Sequence, residues 1–209
     1  MVLRRNATPP SLNVEEVRRK SKLLIIDDHA VPFMSLFKRD GYDIERWSQV
    51  KNLSQLTEGY FDIILLDLHG VGIKESPSMQ GLGVLEHIKQ TDPTQLVIAY
   101  SAEKWSPSFR DFFAMADAVL DKGDNYTEFK AQVDSLLIRR HSAGYYISKM
   151  NETLSDQAIL APKAVKLAMT SIARGDTRKM NKYLTRKMSD EITVERVLAI
   201  ISIAIALLR

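Results

Sequence analysis

The sequence has no cysteine, which excludes disulfide bonds, thiolate metal sites and cysteine nucleophiles. The first residues, 1–5, lack the apolar segment of a secretory signal peptide. The absence of cysteine also fits a reducing compartment, so we expect the protein to be cytoplasmic.

The composition is that of a globular protein whose charge is unevenly distributed. Hydrophobic residues make up 45% of the 209 residues, enough for one large domain or one domain with an appendage. The net charge is +3, but residues 141–209 carry 11 basic and 6 acidic residues, against 18 and 20 in the rest. An acidic front part and a basic tail indicate two units with different roles.

Short apolar runs alternate with helical patterns between residues 22 and 140. This alternation predicts an α/β fold with a five-stranded, doubly wound parallel sheet and right-handed crossovers. The predicted strands are 22–26, 42–47, 63–66, 95–101 and 118–120. The predicted helices are 30–40, 52–58, 81–90, 107–115 and 127–140.

Polar side chains follow four of these strands, at the point where each strand ends. They are Asp27 and Asp28 after the first, Asp67 after the third, Ser101 after the fourth and Lys122 after the fifth. Because the carboxyl ends of parallel strands share one edge of the sheet, we expect these side chains to converge there.

This group of residues favours phosphoryl transfer onto a carboxylate. Three clustered carboxylates need a counter-charge, and oxygen ligands alone select a hard cation such as Mg²⁺. Lys122 supplies a fixed positive charge, and Ser101 supplies a hydroxyl donor for a phosphoryl oxygen. A carboxylate nucleophile, a metal ion and a fixed cation are what this chemistry requires, so we predict that Asp67 is phosphorylated.

Residues 22–140 resemble the receiver domain of two-component response regulators, which has a flavodoxin-like fold. The matching segments, in the order of the family, are LIIDD (24–28), ILLDL (64–68), GLGVL (81–85), VIAYSA (97–102) and DKG (121–123). The resemblance divides the chain into an N-terminal arm (1–21), a receiver domain (22–140) and a helical interaction or dimerisation tail (141–209).

The resemblance implies a role for each matching residue. Asp67 would accept a phosphoryl group from a histidine kinase or a phosphotransfer protein. Asp28, Asp67 and the main-chain carbonyl of His69 would bind Mg²⁺ directly, and Asp27 would act mainly through water. Ser101 would be the switch hydroxyl and Lys122 the lysine that pairs with the phosphate. The protein would be a phosphoacceptor rather than an enzyme, with at most self-catalysed phosphoryl transfer and autodephosphorylation.

Three features depart from the family pattern. The loop between Asp67 and Gly81 is about half a dozen residues longer than usual. Val119 stands where an aromatic switch residue is expected, which leaves the usual readout of phosphorylation in question. Lys122 is followed by Gly123 instead of the common proline, so no cis peptide bond is expected there.

The tail matches no output module that its motifs would identify. It contains no zinc-ligand set, no clear helix-turn-helix and no cyclase or phosphodiesterase motif. Three helices are predicted at 156–174, with Pro162 as a break, at 177–188 and at 193–208. One helical face is basic, with Arg174, Arg178, Lys182 and Arg186 at intervals of four residues.

The last predicted helix contains a charge-free run, 197–208, that is apolar on nearly every side. A helix of this length spans about 18 Å, too short for the roughly 30 Å of a bilayer, so it must be buried elsewhere. We expect a homodimer through the C-terminal helices, because a tail of this size offers little else to cover the run. Membrane contact is expected only if the chain is a fragment that continues past Arg209.

Three other functions compete with a phosphorylation-dependent interaction module. The basic tail could contact nucleic acid in a transcriptional regulator, a reading we place below a protein partner because Tyr183 is the sole aromatic residue on this face. The domain could also be a degenerate receiver that serves as a scaffold. A haloacid-dehalogenase-like phosphatase also uses an aspartyl nucleophile, but it needs a second aspartate where this chain has His69.

Overall fold

A computed structural model describes residues 13–102, 110–154 and 161–208. Its sheet is entirely parallel, with the strand order β2-β1-β3-β4-β5. This is the flavodoxin-like order of doubly wound folds, so the predicted fold class is confirmed. The strands are Lys22–Ile26 (β1), Asp43–Trp47 (β2), Ile63–Asp67 (β3), Leu96–Ser101 (β4) and Ala118–Asp121 (β5).

Helices cover both faces of the sheet and then continue as a helical tail. Their bounds are Val14–Lys20 (α1), Met34–Arg39 (α2), Gly81–Thr91 (α3), Arg110–Met115 (α4), Tyr126–Arg140 (α5), Ala143–Thr153 (α6), Ala161–Arg174 (α7), Arg178–Lys187 (α8) and Glu191–Leu208 (α9). The start of the helix predicted at 107–115 lies outside the described residues.

Successive side chains in each central strand point to opposite faces, and this alternation separates two cores. Leu23, Ile25 and Ile63 face one core with residues of α2 and α5. Leu24 and Ile64 face the other core with residues of α3. The central strands are therefore buried on both sides, as the continuous apolar runs predicted.

The segment after β2 corrects one prediction. A helix was predicted at 52–58, but the structure has only the short 3₁₀ helix Ser54–Leu56. Asn52 accepts hydrogen bonds from the next backbone N–H groups through its side chain, and Gly59 follows with a φ of +73°. The Asn52 side chain thus caps the start of this turn and Gly59 ends it, and between them only one turn of 3₁₀ helix forms.

Helix α1 ties the N-terminal segment to α5 through a partly buried carboxylate. Asp134 accepts hydrogen bonds from Arg18 Nε at 2.7 Å, Tyr42 Oη at 2.5 Å and Lys130 Nζ at 2.9 Å. Val17 is buried in the same core. The part of the arm that the structure describes is therefore docked.

The tail contains one helix that the sequence analysis missed. Helix α6 begins directly after α5, with the Ser142 side chain accepting a hydrogen bond from the Tyr145 N–H. The described part of the tail has four helices, so the prediction of three is wrong. Helix α6 was missed because the adjacent Tyr145 and Tyr146 do not produce a clear helical apolar pattern. Residues 156–160 of the helix predicted at 156–174 lie outside the described residues, so the break expected at Pro162, the second residue of α7, stays a prediction.

Helix α9 is covered largely by the tail itself. It packs mainly against α6 and α7, and its buried side chains are Val194, Val197, Ile200, Ile201 and Ala204. We expected a dimer because the tail offered little to cover this helix. Helix α6, which was not predicted, supplies much of that cover and weakens this reason. Among the described residues, no helix has the length and apolar character needed to cross a membrane.

The Asp134 contacts generate a prediction about acid stability. Burial raises the pKa of Asp134, but the hydrogen bonds from Arg18, Tyr42 and Lys130 outweigh it and the pKa is lowered. Asp134→Asn should reduce the free energy of unfolding at pH 7 by about 1 to 3 kcal/mol. The loss should fade as the pH falls through the lowered pKa, because the wild type then loses the same ionised contacts.

Urea denaturation at neutral and acidic pH measures this effect. Asp176→Asn is the matched control, because Asp176 pairs with Arg178 on the surface and such pairs contribute little. Equal losses in the two variants would contradict the role of Asp134 in anchoring α1.

Candidate functional site

The predicted site residues meet at the edge of the sheet where the strands end. Lys122 Nζ donates a hydrogen bond to Asp67 Oδ2 at 2.6 Å and lies 3.3 Å from Asp27 Oδ2. The Lys122 N–H donates to the carbonyl of Ser101 at 3.0 Å, which sets the ends of β4 and β5 side by side. Asp27, Asp67 and Ser101 are buried.

Asp67 is held from two sides. Its Oδ2 accepts from Lys122, and its Oδ1 accepts from the N–H of His69 at 3.2 Å. The Asp67 side chain is only 2% exposed, so Lys122 and the loop after β3 shield it from solvent. The His69 side chain is exposed.

Asp27 is the most extensively bonded carboxylate of the group. Its Oδ2 accepts from the hydroxyl of Tyr100 at 2.7 Å, and its Oδ1 accepts from the N–H of His29 at 2.8 Å. Arg46 from β2 donates to the Asp27 main-chain carbonyl at 2.9 Å and so fixes the backbone of the same loop.

Asp28 lies on the solvent side of the site. It is hydrogen-bonded to His29 Nδ1 at 2.7 Å. Ligand atoms of Asp27, Asp28 and His29 lie within 4.8 Å of one another. The Asp67 carboxylate is not part of that compact group; it pairs with Lys122. Asp27 connects the two, because it belongs to the compact group and also lies close to Lys122.

The long loop after β3 is ordered by side chains that fold back onto it. Gln80 accepts a hydrogen bond from the Gly70 N–H at 2.8 Å, and Gln49 donates to the Gly70 carbonyl at 2.5 Å. Gln80 has a φ of +53°, an uncommon conformation for a residue with a Cβ. A Cβ at Gly81 would lie 2.2 Å from the Asp67 carbonyl, so only glycine allows α3 to begin this close to β3.

The electrostatics of the central pair follow from burial and from mutual contact. Burial raises the pKa of Asp67, although Lys122 and the His69 N–H favour its ionised form. Burial lowers the pKa of Lys122, but its contacts with Asp67 and Asp27 outweigh this and the pKa is raised. Lys122 is therefore a permanent cation beside a carboxylate whose charge is costly to bury.

Sequence reasoning missed Tyr100, Arg46 and Gln80 as parts of the site. The alternation of strand residues could have indicated Tyr100, because it shares the face of Leu96 and Ile98 at the end of β4. A tyrosine buried at such a position needs a partner for its hydroxyl. Arg46 lies in a strand and Gln80 lies in a loop, and neither position carries a comparable signal in the sequence.

No family model matches this chain, and no curated protein matches it. Solved structures similar to it include a CheY-like response regulator receiver domain protein from Methanospirillum hungatei JF-1, with 22% identity over 57% of this chain and 95% of that one and a TM-score of 0.47. The receiver domain of the Francisella response regulator 1452 has 22% identity over 57% and 98%, with a TM-score of 0.48. The Vibrio cholerae chemotaxis protein CheY4 has 18% identity over 56% and 98%, with a TM-score of 0.43.

Each of these three proteins matches a little over half of the chain, and their identities are low enough that the likeness concerns the fold alone. The strand order of the sheet shows a flavodoxin-like fold.

Burial of Asp67 generates a prediction about stability in the absence of metal ions. Because its pKa is raised, ionisation of Asp67 should lower the stability of the folded protein as the pH rises from about 4. Asp67→Asn should therefore unfold at a higher temperature than the wild type at pH 7, and the difference should disappear at about pH 4.

Thermal unfolding in the presence of a chelator measures the difference. Asp43→Asn, which neutralises an exposed carboxylate at the start of β2, should leave the unfolding temperature unchanged at both pH values. A lower unfolding temperature for Asp67→Asn at pH 7 would mean that the ion pair with Lys122 outweighs the cost of burial.

Proposed function

We propose that this protein is a phosphorylation-dependent signalling protein of a two-component system. Asp67 accepts a phosphoryl group from a histidine kinase or a phosphotransfer protein, and the protein acts as a phosphoacceptor rather than an enzyme. The observation that carries the proposal is the contact of Lys122 with both Asp67 and Asp27 at one edge of the sheet.

The residues present fit a magnesium ion. The donors are oxygen atoms, as Mg²⁺ requires, and space for Asp28 depends on Gly70, whose missing Cβ would lie 2.6 Å from Asp28 Oδ2. Asp28, Asp67 and the main-chain carbonyl of His69 would hold the ion, with Asp27 acting through water. When bound, the ion would neutralise charge on the phosphoryl oxygens.

Three side chains would have separate roles in the phosphoryl transfer. A carboxylate oxygen of Asp67 attacks phosphorus, a P–O bond forms, and the P–N bond to the donor histidine breaks with its electron pair left on the imidazole. Lys122 pairs with a phosphoryl oxygen, and the Ser101 hydroxyl donates a hydrogen bond to another. Lys122 now donates to Asp67 Oδ2, and its pairing with the phosphoryl group would move it away from that oxygen.

The output is proposed to be an interaction of the helical tail. One continuous core joins the α5 face of the sheet to α6, α7, α8 and α9, so a change in the sheet edge can alter how the tail packs. Helix α9 leaves several apolar side chains half-buried, and these could complete their burial in a homodimer: Leu198, Ile203, Ile205, Leu207 and Leu208.

The proposed function predicts that the purified protein can be phosphorylated on Asp67. Incubation with Mg²⁺ and a small-molecule phosphodonor should add the mass of one phosphoryl group to the wild type, as measured by intact mass spectrometry. Asp67→Asn should remain unmodified because it lacks the accepting carboxylate. Asp43→Asn, with its change on an exposed strand position, should be modified like the wild type.

A sizing measurement on the same samples tests the output. The phosphorylated protein and the unmodified protein should differ in oligomeric state, and Asp67→Asn should not respond to the phosphodonor. A wild type that gains no phosphoryl group and binds no Mg²⁺ would overturn the proposal. That result would favour the alternative, a degenerate receiver that serves as a scaffold.

A second candidate function, nucleic-acid binding, is favoured by the surface of α8. Its exposed residues include Arg178, Lys182 and Arg186, and it has no acidic residue. Like charges four residues apart destabilise an isolated helix by about 0.2 to 0.5 kcal/mol per pair, so an anionic partner would stabilise it. Met180 and Leu184, its buried apolar residues, face the core, so α8 cannot insert them into a membrane.

Charge reversal separates this candidate from the first. If α8 binds duplex DNA, Lys182→Glu with Arg186→Glu should weaken binding and reduce the slope of log affinity against log salt by roughly 2. The control is Arg19→Glu with Lys51→Glu, which changes the net charge equally at other exposed positions. Absence of salt-dependent DNA binding by the wild type would leave dimerisation or a protein partner as the output.

A further inference from the structure

Tyr100 is a buried tyrosine whose hydroxyl reaches the acidic end of the site. It is 3% exposed, and its hydroxyl donates to Asp27 Oδ2 at 2.7 Å. Its ring packs edge-to-face on Phe129 of α5, with centroids 5.8 Å apart, and Lys122 Nζ lies 5.6 Å from the ring centroid. The ring is therefore held on two sides, and the hydroxyl has a fixed position.

The hydrogen bonds of Asp27 leave this carboxylate little freedom. An ionised carboxylate has about four acceptor positions, two on each oxygen. On Oδ2, one is taken by the Tyr100 hydroxyl and the other is approached by Lys122 at 3.3 Å. On Oδ1, one is taken by the His29 N–H. One acceptor position is left, and it is on Oδ1, the oxygen that lies 4.0 Å from His29 Nδ1.

We propose that Tyr100 is a positioning residue of the magnesium site: its hydroxyl fixes the Asp27 carboxylate so that the remaining acceptor position, on Oδ1, receives a metal-bound water. This inference rests on the proposed function, because it assigns a role toward the ion that Asp28 and Asp67 would hold. Tyr100 itself touches neither the ion nor the phosphoryl group.

The position of Tyr100 also keeps Lys122 available for Asp67. Both donors contact Asp27 Oδ2, but Lys122 is closer to Asp67, at 2.6 Å, than to Asp27. With the hydroxyl on Oδ2, the negative charge of Asp27 is partly satisfied without the lysine. The same hydroxyl therefore orients one carboxylate and leaves the cation paired with the other.

The experiment compares Tyr100→Phe, which removes only the hydroxyl, with Tyr145→Phe. Tyr145 is also buried, and its hydroxyl donates to the Thr94 carbonyl at 3.0 Å, just before the opposite end of β4. Calorimetric titration should give a dissociation constant for Mg²⁺ that is about tenfold higher in Tyr100→Phe than in the wild type, the lower end of the range for losing an outer-shell hydrogen bond. Tyr145→Phe should bind Mg²⁺ like the wild type.

Phosphorylation at varied Mg²⁺ concentration supplies the second readout. In Tyr100→Phe, the half-saturating Mg²⁺ concentration should rise about tenfold, with the rate at saturation close to that of the wild type. Unchanged or tighter Mg²⁺ binding in Tyr100→Phe, while the wild type binds the ion, would overturn this inference and leave the proposed function intact. A wild type that does not bind Mg²⁺ would overturn both.

Discussion

The site depends on the burial of negative charge at one edge of the sheet and on Lys122, a cation that contacts it. Asp27 and Asp67 are both nearly inaccessible to solvent, and Lys122 contacts both. Burying an ionised carboxylate is costly unless it is paired and hydrogen-bonded. The Tyr100 hydroxyl and the N–H groups of His29 and His69 supply the remaining donors, so the loops around the site are constrained by the same requirement.

The fold and the meeting point of the site were predictable because both follow from simple rules. Buried apolar runs alternating with helices define a parallel sheet, and parallel strands bring Asp27, Asp67 and Lys122 to one edge. Tyr100 was not predicted, because its role depends on which strand neighbours and which face it shares with Asp27. Helix α6 was missed for a related reason: Tyr145 and Tyr146 indicate a buried helix face only when the core that they enter is known.

The junction between the sheet and the tail is the least well satisfied part of the described core. Gln95 Oε1, Arg140 Nε and Tyr146 Oη are buried without a hydrogen-bond partner, although Arg140 Nε lies 3.4 Å from Asp62 Oδ1. Each unsatisfied buried group costs on the order of 1 to 3 kcal/mol. We therefore expect this junction to open more readily than the central strands.

Helix α5 is the element that both regions share. Near its start, Phe129 packs against Tyr100 beside the carboxylates, and at its end Arg140 enters the junction with the tail. Its 15 residues span about 22 Å, roughly the length of the central strands they cross. A shift of Lys122 from Asp67 to a phosphoryl group would change the surroundings of Tyr100, and hence of Phe129, on the helix that holds the tail.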